Sequence, residues 1–164
     1  RFKNKNKKEK GKTAPAIPKA VKSFLSDTSS FSPEWSGSIL RMLPESARDA
    51  SPLLREHLRI LSAGICIGET KGKDFIPAEE LALSTALCPE AFPVADLDWD
   101  DAIRYLKKEA LLLPAGTEKG YVLVRYKKFP LGFTKHLGNR ANNLYPQEWR
   151  IRTGYVPEQV KTFG

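Results

Sequence analysis

The sequence predicts an α+β fold in which a small lead α/β subdomain precedes a β-rich last third. Between residues 19 and 118, helical spacing of apolar residues alternates with short apolar runs, whereas strand patterns dominate residues 120–152. The chain of 164 residues is 41% hydrophobic and 28% charged, a composition that can bury a core. We therefore expect an ordered chain of one domain or two small ones.

The first 18 residues are predicted to be a basic flexible linker, because RFKNKNKKEKGK contains almost no apolar side chains. The sequence leaves open whether this stretch is only a solvated tether or also an arm that contacts phosphates nonspecifically. Pro18 then favours the start of a short docking helix. That helix would place Val21, Phe24 and Leu25 on one face.

A lead α/β linking subdomain is predicted over residues 19–75. SILRML, residues 38–43, favours an edge strand that ends at a proline. A helix is predicted from about 45 to 56. The β-branched residues of 58–70 are interrupted by two glycines, and this pattern is typical of a bent or bulged strand.

Residues 76–158 are predicted to form a second domain, followed by a short tail at 159–164. A helix begins at Pro77, with glutamates in its first turn that suit the helix dipole, and continues to about residue 87. A strand over 92–98 leads into a further helix that Asp98 caps.

The last third is predicted to contain three strands, at residues 120–126, 130–137 and 148–152. In the third, apolar residues and arginines alternate, which predicts a half-buried strand with a basic outer face. GNRANN, residues 138–143, is predicted to be a tight turn, or a single helical turn, between the second and third strands.

Charge is unevenly distributed along the chain. Residues 1–12 carry seven Lys and Arg against one acidic residue, residues 13–118 carry eleven against sixteen, and residues 119–152 carry eight against one. Two basic segments thus flank an acidic middle, which indicates a partner with negative charge such as RNA, DNA or an anionic membrane surface. Membrane binding is the least favoured, because no basic helix carries a broad apolar face and no run is long enough to span a bilayer.

Neither a catalytic nor a metal site is predicted. The sequence contains no phosphate-binding loop, no dinucleotide-binding glycine pattern and no His or Cys cluster at metal spacing. Helix capping explains the acidic group around Asp98, and His57 is interpreted as a surface residue. Cys66 and Cys88 are interpreted as small buried apolar residues, and the low cysteine content fits a reducing cytoplasm.

KHLGNRANNLYPQEWRIR, residues 135–152, has the residue types that RNA recognition needs. Its cations can bind phosphates, its asparagines can hydrogen-bond bases or 2′-hydroxyls, and Tyr145, Trp149 and Phe133 could stack on bases if exposed. The alternative is a structural turn with solvated cations and core aromatics. Two glycines, Gly132 and Gly138, are interpreted as structural turn residues. The predicted RNA-binding residues are Lys135, Asn139, Arg140 and Asn143, followed by Arg150 and Arg152.

GYVLVRYKKFPLGFTKHLGNRANNLYPQEWRIR, residues 120–152, closely resembles the C-terminal PUA-like RNA-binding segment of the RsmF (Fmu/Sun-type) RNA cytosine-5 methyltransferases. That family has a strand of the form G-hydrophobic-V-x-Y, then PLG-aromatic-x-K, GNR-x-x-N-x-x-P and R-I-R, all of which are present here. A weaker likeness extends through residues 58–84 to the family's linking segment.

The resemblance implies a PUA-like mixed β pseudobarrel with flanking helices that binds structured ribosomal RNA, with small-subunit RNA as the expected partner. It also implies an N-terminal catalytic domain, absent from this chain, that uses S-adenosylmethionine and two cysteines. Cys66 and Cys88 match neither catalytic context, so no cofactor is expected in this chain. Because the sequence begins at Arg1, we expect a fragment whose partners are RNA and its own catalytic domain. A stand-alone RNA adaptor and a basic protein-docking domain stay open as alternatives.

Overall fold

The computed structural model describes residues 17–154, which form two four-stranded sheets joined by short helices. The predicted α+β class is confirmed. The helices are α1 (Lys19–Lys22), α2 (Glu45–Arg48), α3 (Ala50–His57), α4 (Glu79–Ala82) and α5 (Trp99–Leu106). The strands are β1 (Phe31–Ser36), β2 (Ile39–Pro44), β3 (Ile65–Lys71), β4 (Asp74–Pro77), β5 (Val94–Leu97), β6 (Gly120–Tyr126), β7 (Phe129–His136) and β8 (Ala141–Asn143).

The first sheet is an antiparallel meander in the order β1-β2-β3-β4. The prediction that β2 is an edge strand is wrong, because the serine-rich stretch before it forms β1, where Pro33 is tolerated on an edge. The prediction of a bulged strand is confirmed. Leu40 pairs with Gly68 and the next residue, Arg41, pairs with Cys66, so Ile67 is the extra residue in β3. The strand begins at Ile65, later than predicted.

The predicted helix over 45–56 is present as α2 and α3, with a break at Asp49. The helix expected from Pro77 to about residue 87 is much shorter, since α4 has four residues. Ser84 ends it, because its hydroxyl accepts a hydrogen bond from the backbone N–H of Ala86 at 3.0 Å and offers the backbone an alternative to the helix.

In the second sheet, β5 pairs in parallel with β6, and β6, β7 and β8 are antiparallel neighbours. The predicted capping of α5 is confirmed, since the carboxylate of Asp98 accepts a hydrogen bond from the backbone N–H of Asp101 at 2.8 Å. The third strand predicted at 148–152 is wrong. The chain returns earlier, as β8 within the segment expected to be a turn. Residues 148 and 149 belong to a further turn, in which Trp149 N–H donates to Pro146 O, and residues 150–152 follow it without forming a strand.

The core joins both sheets. One cluster of buried side chains contains Leu40 and Ile67 of the first sheet together with Leu123 and Phe133 of the second. A second cluster lies between α5 and the second sheet, around Tyr105. The division of the chain near residue 75 stays a prediction, and strand β4 runs through that position.

The segment after α1 is tied to the middle of the chain. Leu25 forms a bridge with Leu87, Ser26 N–H donates to Ala86 O at 2.9 Å, and Cys88 N–H donates to Phe24 O at 2.8 Å. Val21 and Leu25 are buried, which is the docking predicted for this segment. Residues 1–16 and the tail at 159–164, for which a linker and a tail are predicted, lie outside the described residues.

Candidate functional site

Lys135, predicted to bind RNA, is engaged within the molecule. Its ammonium group contacts the carboxylate of Asp74 and lies 5.0 Å from the centre of the Tyr121 ring. The hydroxyl of Tyr121 donates to the same carboxylate at 3.1 Å. The hydrogen bond from Lys135 is the main cause of a lowered Asp74 pKa, and the same bond raises the pKa of Lys135. Because Asp74 belongs to β4 and Lys135 to β7, this ion pair joins the two sheets.

Asn143, also predicted to bind RNA, holds three backbone segments together. Its amide nitrogen donates to Tyr105 O at 2.8 Å and to Glu109 O at 3.0 Å, and its amide oxygen accepts from the backbone N–H of Tyr145 at 2.9 Å. Both amide protons are therefore used internally. This side chain fixes β8 against the end of α5, and its amide group is engaged within the protein instead of being free for RNA.

Asn139 and Arg140 lie together on an exposed turn between β7 and β8. The turn is closed by a hydrogen bond from Leu137 N–H to Arg140 O at 2.9 Å. Gly138 has a φ of +104° and a Cβ there would lie 2.8 Å from the Cε atom of Lys119, so the glycine also allows Lys119 to approach. Within residues 17–154, neither Arg140 nor Lys119 has an ion-pair partner. Sequence reasoning missed Lys119, which is brought to the turn by the pairing of β6 with β7.

Arg150 and Arg152 lie on a second exposed segment. It is attached to the end of α5 by a hydrogen bond from Ile151 N–H to Leu106 O at 2.9 Å. Together with Lys107, the two arginines line an open groove of about 360 Å³, which we call the arginine groove. Glu109 also lines it. Three cations against one carboxylate give this groove a net positive charge that suits a phosphate backbone.

Gly132 is a structural residue of a different kind from the one predicted. It lies within β7 rather than in a turn, with a φ of +150°, and a Cβ there would lie 2.1 Å from Glu79 Oε1 and from the Tyr105 hydroxyl. Its missing side chain thus makes room for a buried carboxylate. Sequence reasoning interpreted Glu79 as a residue of the helix dipole, because nothing local indicates that it is only 7% exposed.

The surroundings of Glu79 favour its protonated form. The Tyr105 hydroxyl lies 3.2 Å from Glu79 Oε2 and 3.1 Å from Phe133 O. Burial raises the pKa of Glu79 to about 7, against the opposing effect of hydrogen bonds from Tyr105 and the Phe133 backbone. Burial, with the nearby Glu79 carboxylate, also raises the pKa of Tyr105. The Tyr105 hydroxyl has one proton and can donate either to Phe133 O or to Glu79. If it donates to Phe133 O, a protonated Glu79 can donate a hydrogen bond to the Tyr105 oxygen.

The candidate stacking residues separate into buried and accessible ones. Phe133 is fully buried, so the condition for its stacking on a base is not met and it fills the core, as the alternative interpretation has it. Trp149 is 50% exposed, and its ring packs edge-on against Tyr145 with 6.3 Å between ring centres. In the described part of the chain, no cluster of His, Cys, Asp or Glu is arranged to hold a metal ion. None of the helices there is long and apolar enough to cross a membrane.

An α+β domain with exposed cations beside a mixed sheet is thus the class of protein that the structure defines. Residues 92–151, which contain β5 to β8, match the family described as the methyltransferase RsmF PUA domain. The match is to this region only, and it bears out the resemblance noted in the sequence there.

Similar proteins extend the match upstream. The chain is 32% identical over 110 residues to proteins named ribosomal RNA small subunit methyltransferase F from Shewanella baltica strains OS195, OS155 and OS185. Each alignment covers 64% of this chain and 22% of the relative. The chain therefore spans about a fifth of the length of the curated relatives that it matches.

Proposed function

We propose that this chain is an RNA-binding module that positions structured ribosomal RNA for an attached S-adenosylmethionine-dependent cytosine-5 methyltransferase domain. The observation that carries the proposal is which of its arginines are exposed and free of ion pairs. Arg140, Arg150 and Arg152 are exposed and have no ion-pair partner within residues 17–154. Five others are ion-paired: Arg41, Arg48, Arg55, Arg104 and Arg125. Arg59, before β3 and distant in the sequence from Arg140, Arg150 and Arg152, is also exposed and without an ion-pair partner among the described residues.

Two surfaces would make the contacts. The turn between β7 and β8 offers Asn139, Arg140 and Lys119, and the arginine groove offers Arg150 and Arg152. Arginine can hold a phosphate through two hydrogen bonds, and an exposed asparagine can bond to a base edge or a 2′-hydroxyl.

The module's contribution to methylation would be orientation. Phosphate contacts supply affinity, and contacts from the turn fix the register of the RNA relative to the attached domain. S-adenosylmethionine, bound by that domain, would supply the methyl group. Small-subunit ribosomal RNA is the proposed partner, and a cytoplasmic location is part of the same proposal.

The test is binding of the chain to a small-subunit ribosomal RNA fragment across a salt series, with Arg140→Gln and the double variant Arg150→Gln/Arg152→Gln. We expect each lost phosphate contact to weaken binding by about 1–3 kcal/mol and to reduce the salt slope by about one unit. Arg48→Gln is the matched control, because Arg48 is 66% exposed but pairs with Glu45.

Equal losses for Arg48→Gln and Arg140→Gln would show that binding depends on total charge alone, and would overturn the assignment of these surfaces. Unchanged binding in all variants would show that the RNA contacts lie elsewhere on the chain, and an absence of RNA binding by wild type would overturn the RNA-binding function itself.

A further inference from the structure

The hairpin between β6 and β7 has a turn whose conformation does not suit its residues. Tyr126 pairs with Phe129, so two residues form the loop. Lys127 has a φ of +47° and Lys128 a φ of +71°. A two-residue hairpin with both φ values positive is the arrangement for which Asn-Gly is preferred, because a lysine Cβ crowds the following carbonyl there.

The tip of this hairpin is exposed and positively charged, and the ammonium group of Lys127 lies 5.5 Å from the centre of the Tyr126 ring. Lys127 and Lys128 are exposed, and neither has an ion-pair partner among the described residues. Phe129 is 74% exposed, although it is large and apolar. The next cation along β6 differs from them, since Arg125 is bound to the carboxylate of Asp96 at 2.7 Å.

Unfavourable backbone conformations cluster at functional sites, where the surrounding structure holds them in place. In this turn, Lys127 and Lys128 occupy positions that Asn and Gly would fit better, and both lie just before Phe129 in the sequence. Cations combined with an accessible aromatic face are what binds an unpaired nucleic-acid strand: the cations contact phosphates and the ring stacks on a base.

We propose that Lys127, Lys128 and Phe129 form a second RNA contact, in which the two lysines bind backbone phosphates and the Phe129 ring stacks on an unpaired base. This inference rests on the proposed RNA-binding function. Strand β7 has eight residues, so the hairpin tip and the turn at Arg140 lie roughly 25 Å apart at opposite ends of the strand. RNA that reaches both would span the sheet, with its unpaired part at the hairpin.

The deciding variant is Lys127→Asn/Lys128→Gly, because stability and binding should change in opposite directions. The replacement suits the turn, so the melting temperature should rise. The loss of two phosphate contacts should weaken RNA binding by tenfold or more and reduce the salt slope by about 1.5 units. A merely structural hairpin would gain stability and keep its affinity.

A second pair of variants tests stacking. Phe129→Leu keeps an apolar side chain without a ring and should weaken binding of a stem-loop with unpaired bases roughly five- to a hundredfold. Phe129→Trp should preserve that binding. A fully paired duplex of the same length should bind wild type and Phe129→Leu equally.

The outcomes distinguish this inference from the function on which it rests. If Arg140→Gln loses affinity and the hairpin variants do not, the second contact is wrong and the proposed function stands. If neither set changes affinity, both assigned surfaces are wrong and this inference is overturned; if wild type does not bind RNA, the proposed function itself fails. If the hairpin variants lose binding to phosphatidylserine vesicles but not to RNA, the tip is a membrane contact and the inference is overturned.

Discussion

Glu79 shows how one buried residue can make stability depend on pH. Its carboxylate lies in the space that Gly132 leaves open, against the hydroxyl of Tyr105. Burial disfavours the charged form, so the folded state holds the proton at a pH where the unfolded chain has released it. The stabilising effect of this proton is therefore present at low pH and lost as the pH rises through the folded pKa.

Unfolding free energy should accordingly fall between pH 4.5 and about 7, from the ordinary glutamate pKa to that of Glu79 in the fold, and then level off. The size of the fall should be on the order of 3 kcal/mol. Urea unfolding across this range tests it, and Glu79→Gln should flatten the profile. The control Glu69→Gln, at an exposed position, should retain it. A slope that survives in Glu79→Gln would show that another group is responsible.

For single residues, the sequence shows which residue types are unusual but not which partners they contact in the fold. The asparagines and glycines between 132 and 143 are correctly identified as unusual. Gly132, however, leaves space for Glu79, which is 53 positions away in the sequence. Lys135 forms an ion pair with Asp74, which is 61 positions away. Neither partnership has a local pattern, because each depends on how α4 and β4 pack against β7.

Among the elements, β8 shows how a short strand can depend on one side chain. It has three residues, and Asn143 at its end bonds to the carbonyls of Tyr105 and Glu109. These bonds attach the strand to the segment after α5. Without them Glu109 O would lose this partner, whereas Tyr105 O would keep the hydrogen bond from Lys108 N–H at 2.9 Å.

Asn143→Ala should therefore lower the unfolding free energy by roughly 2–3 kcal/mol, while the folded fraction keeps its RNA affinity. Chemical denaturation and RNA titration of the same samples separate the two effects. Asn142→Ala is the matched control, because Asn142 is the exposed neighbour in the same strand. A loss of RNA affinity without a loss of stability would return Asn143 to the binding surface.

Elements with a strong local signal are predicted well from the sequence. The apolar runs of β6 and β7 are sufficient to predict these strands, and Asp98 is sufficient to predict where α5 begins. The misplaced third strand shows the limit, because the alternation around residue 150 imitates a strand. Pro146 and the turn after it direct that segment towards α5 instead. Alternation alone does not show whether a neighbouring strand is available for pairing.

Across the whole molecule, the two sheets share one core and should unfold together. Leu40 and Ile67 pack in the same cluster as Leu123 and Phe133, so separating the sheets would expose both sides. Local boundaries in the sequence do not reveal this, because the contacts join residues far apart in the chain.

Tryptophan fluorescence can test this cooperativity. Trp35 lies in the first sheet, whereas Trp99 and Trp149 lie in the second part of the chain. We expect Trp35→Phe and the double variant Trp99→Phe/Trp149→Phe to report the same urea midpoint after correction for each variant's own stability by circular dichroism. Two separated midpoints would instead support independent domains divided near residue 75.

Charge segregation likewise predicts the sign of the surface but not which cations are free. Residues 119–152 carry eight Lys and Arg against one acidic residue. In the fold, Asp96 pairs with Arg125 and Asp74 with Lys135, and both carboxylates come from the acidic middle of the chain. Folding thus neutralises part of the basic segment and leaves the remainder to define the candidate surface.

The bridge between Leu25 and Leu87 has a mechanical consequence. Since these residues are paired, residues 26–86 form a closed loop, and the chain before Leu25 is anchored at Leu87, shortly before β5. A pull on the chain at Ile17, resisted by RNA held at Arg140, would be transmitted across this bridge and bypass the first sheet. The strands of the first sheet would carry little of this tension directly, and the distance from Ile17 to the RNA would depend on the path through Leu87 and the second sheet.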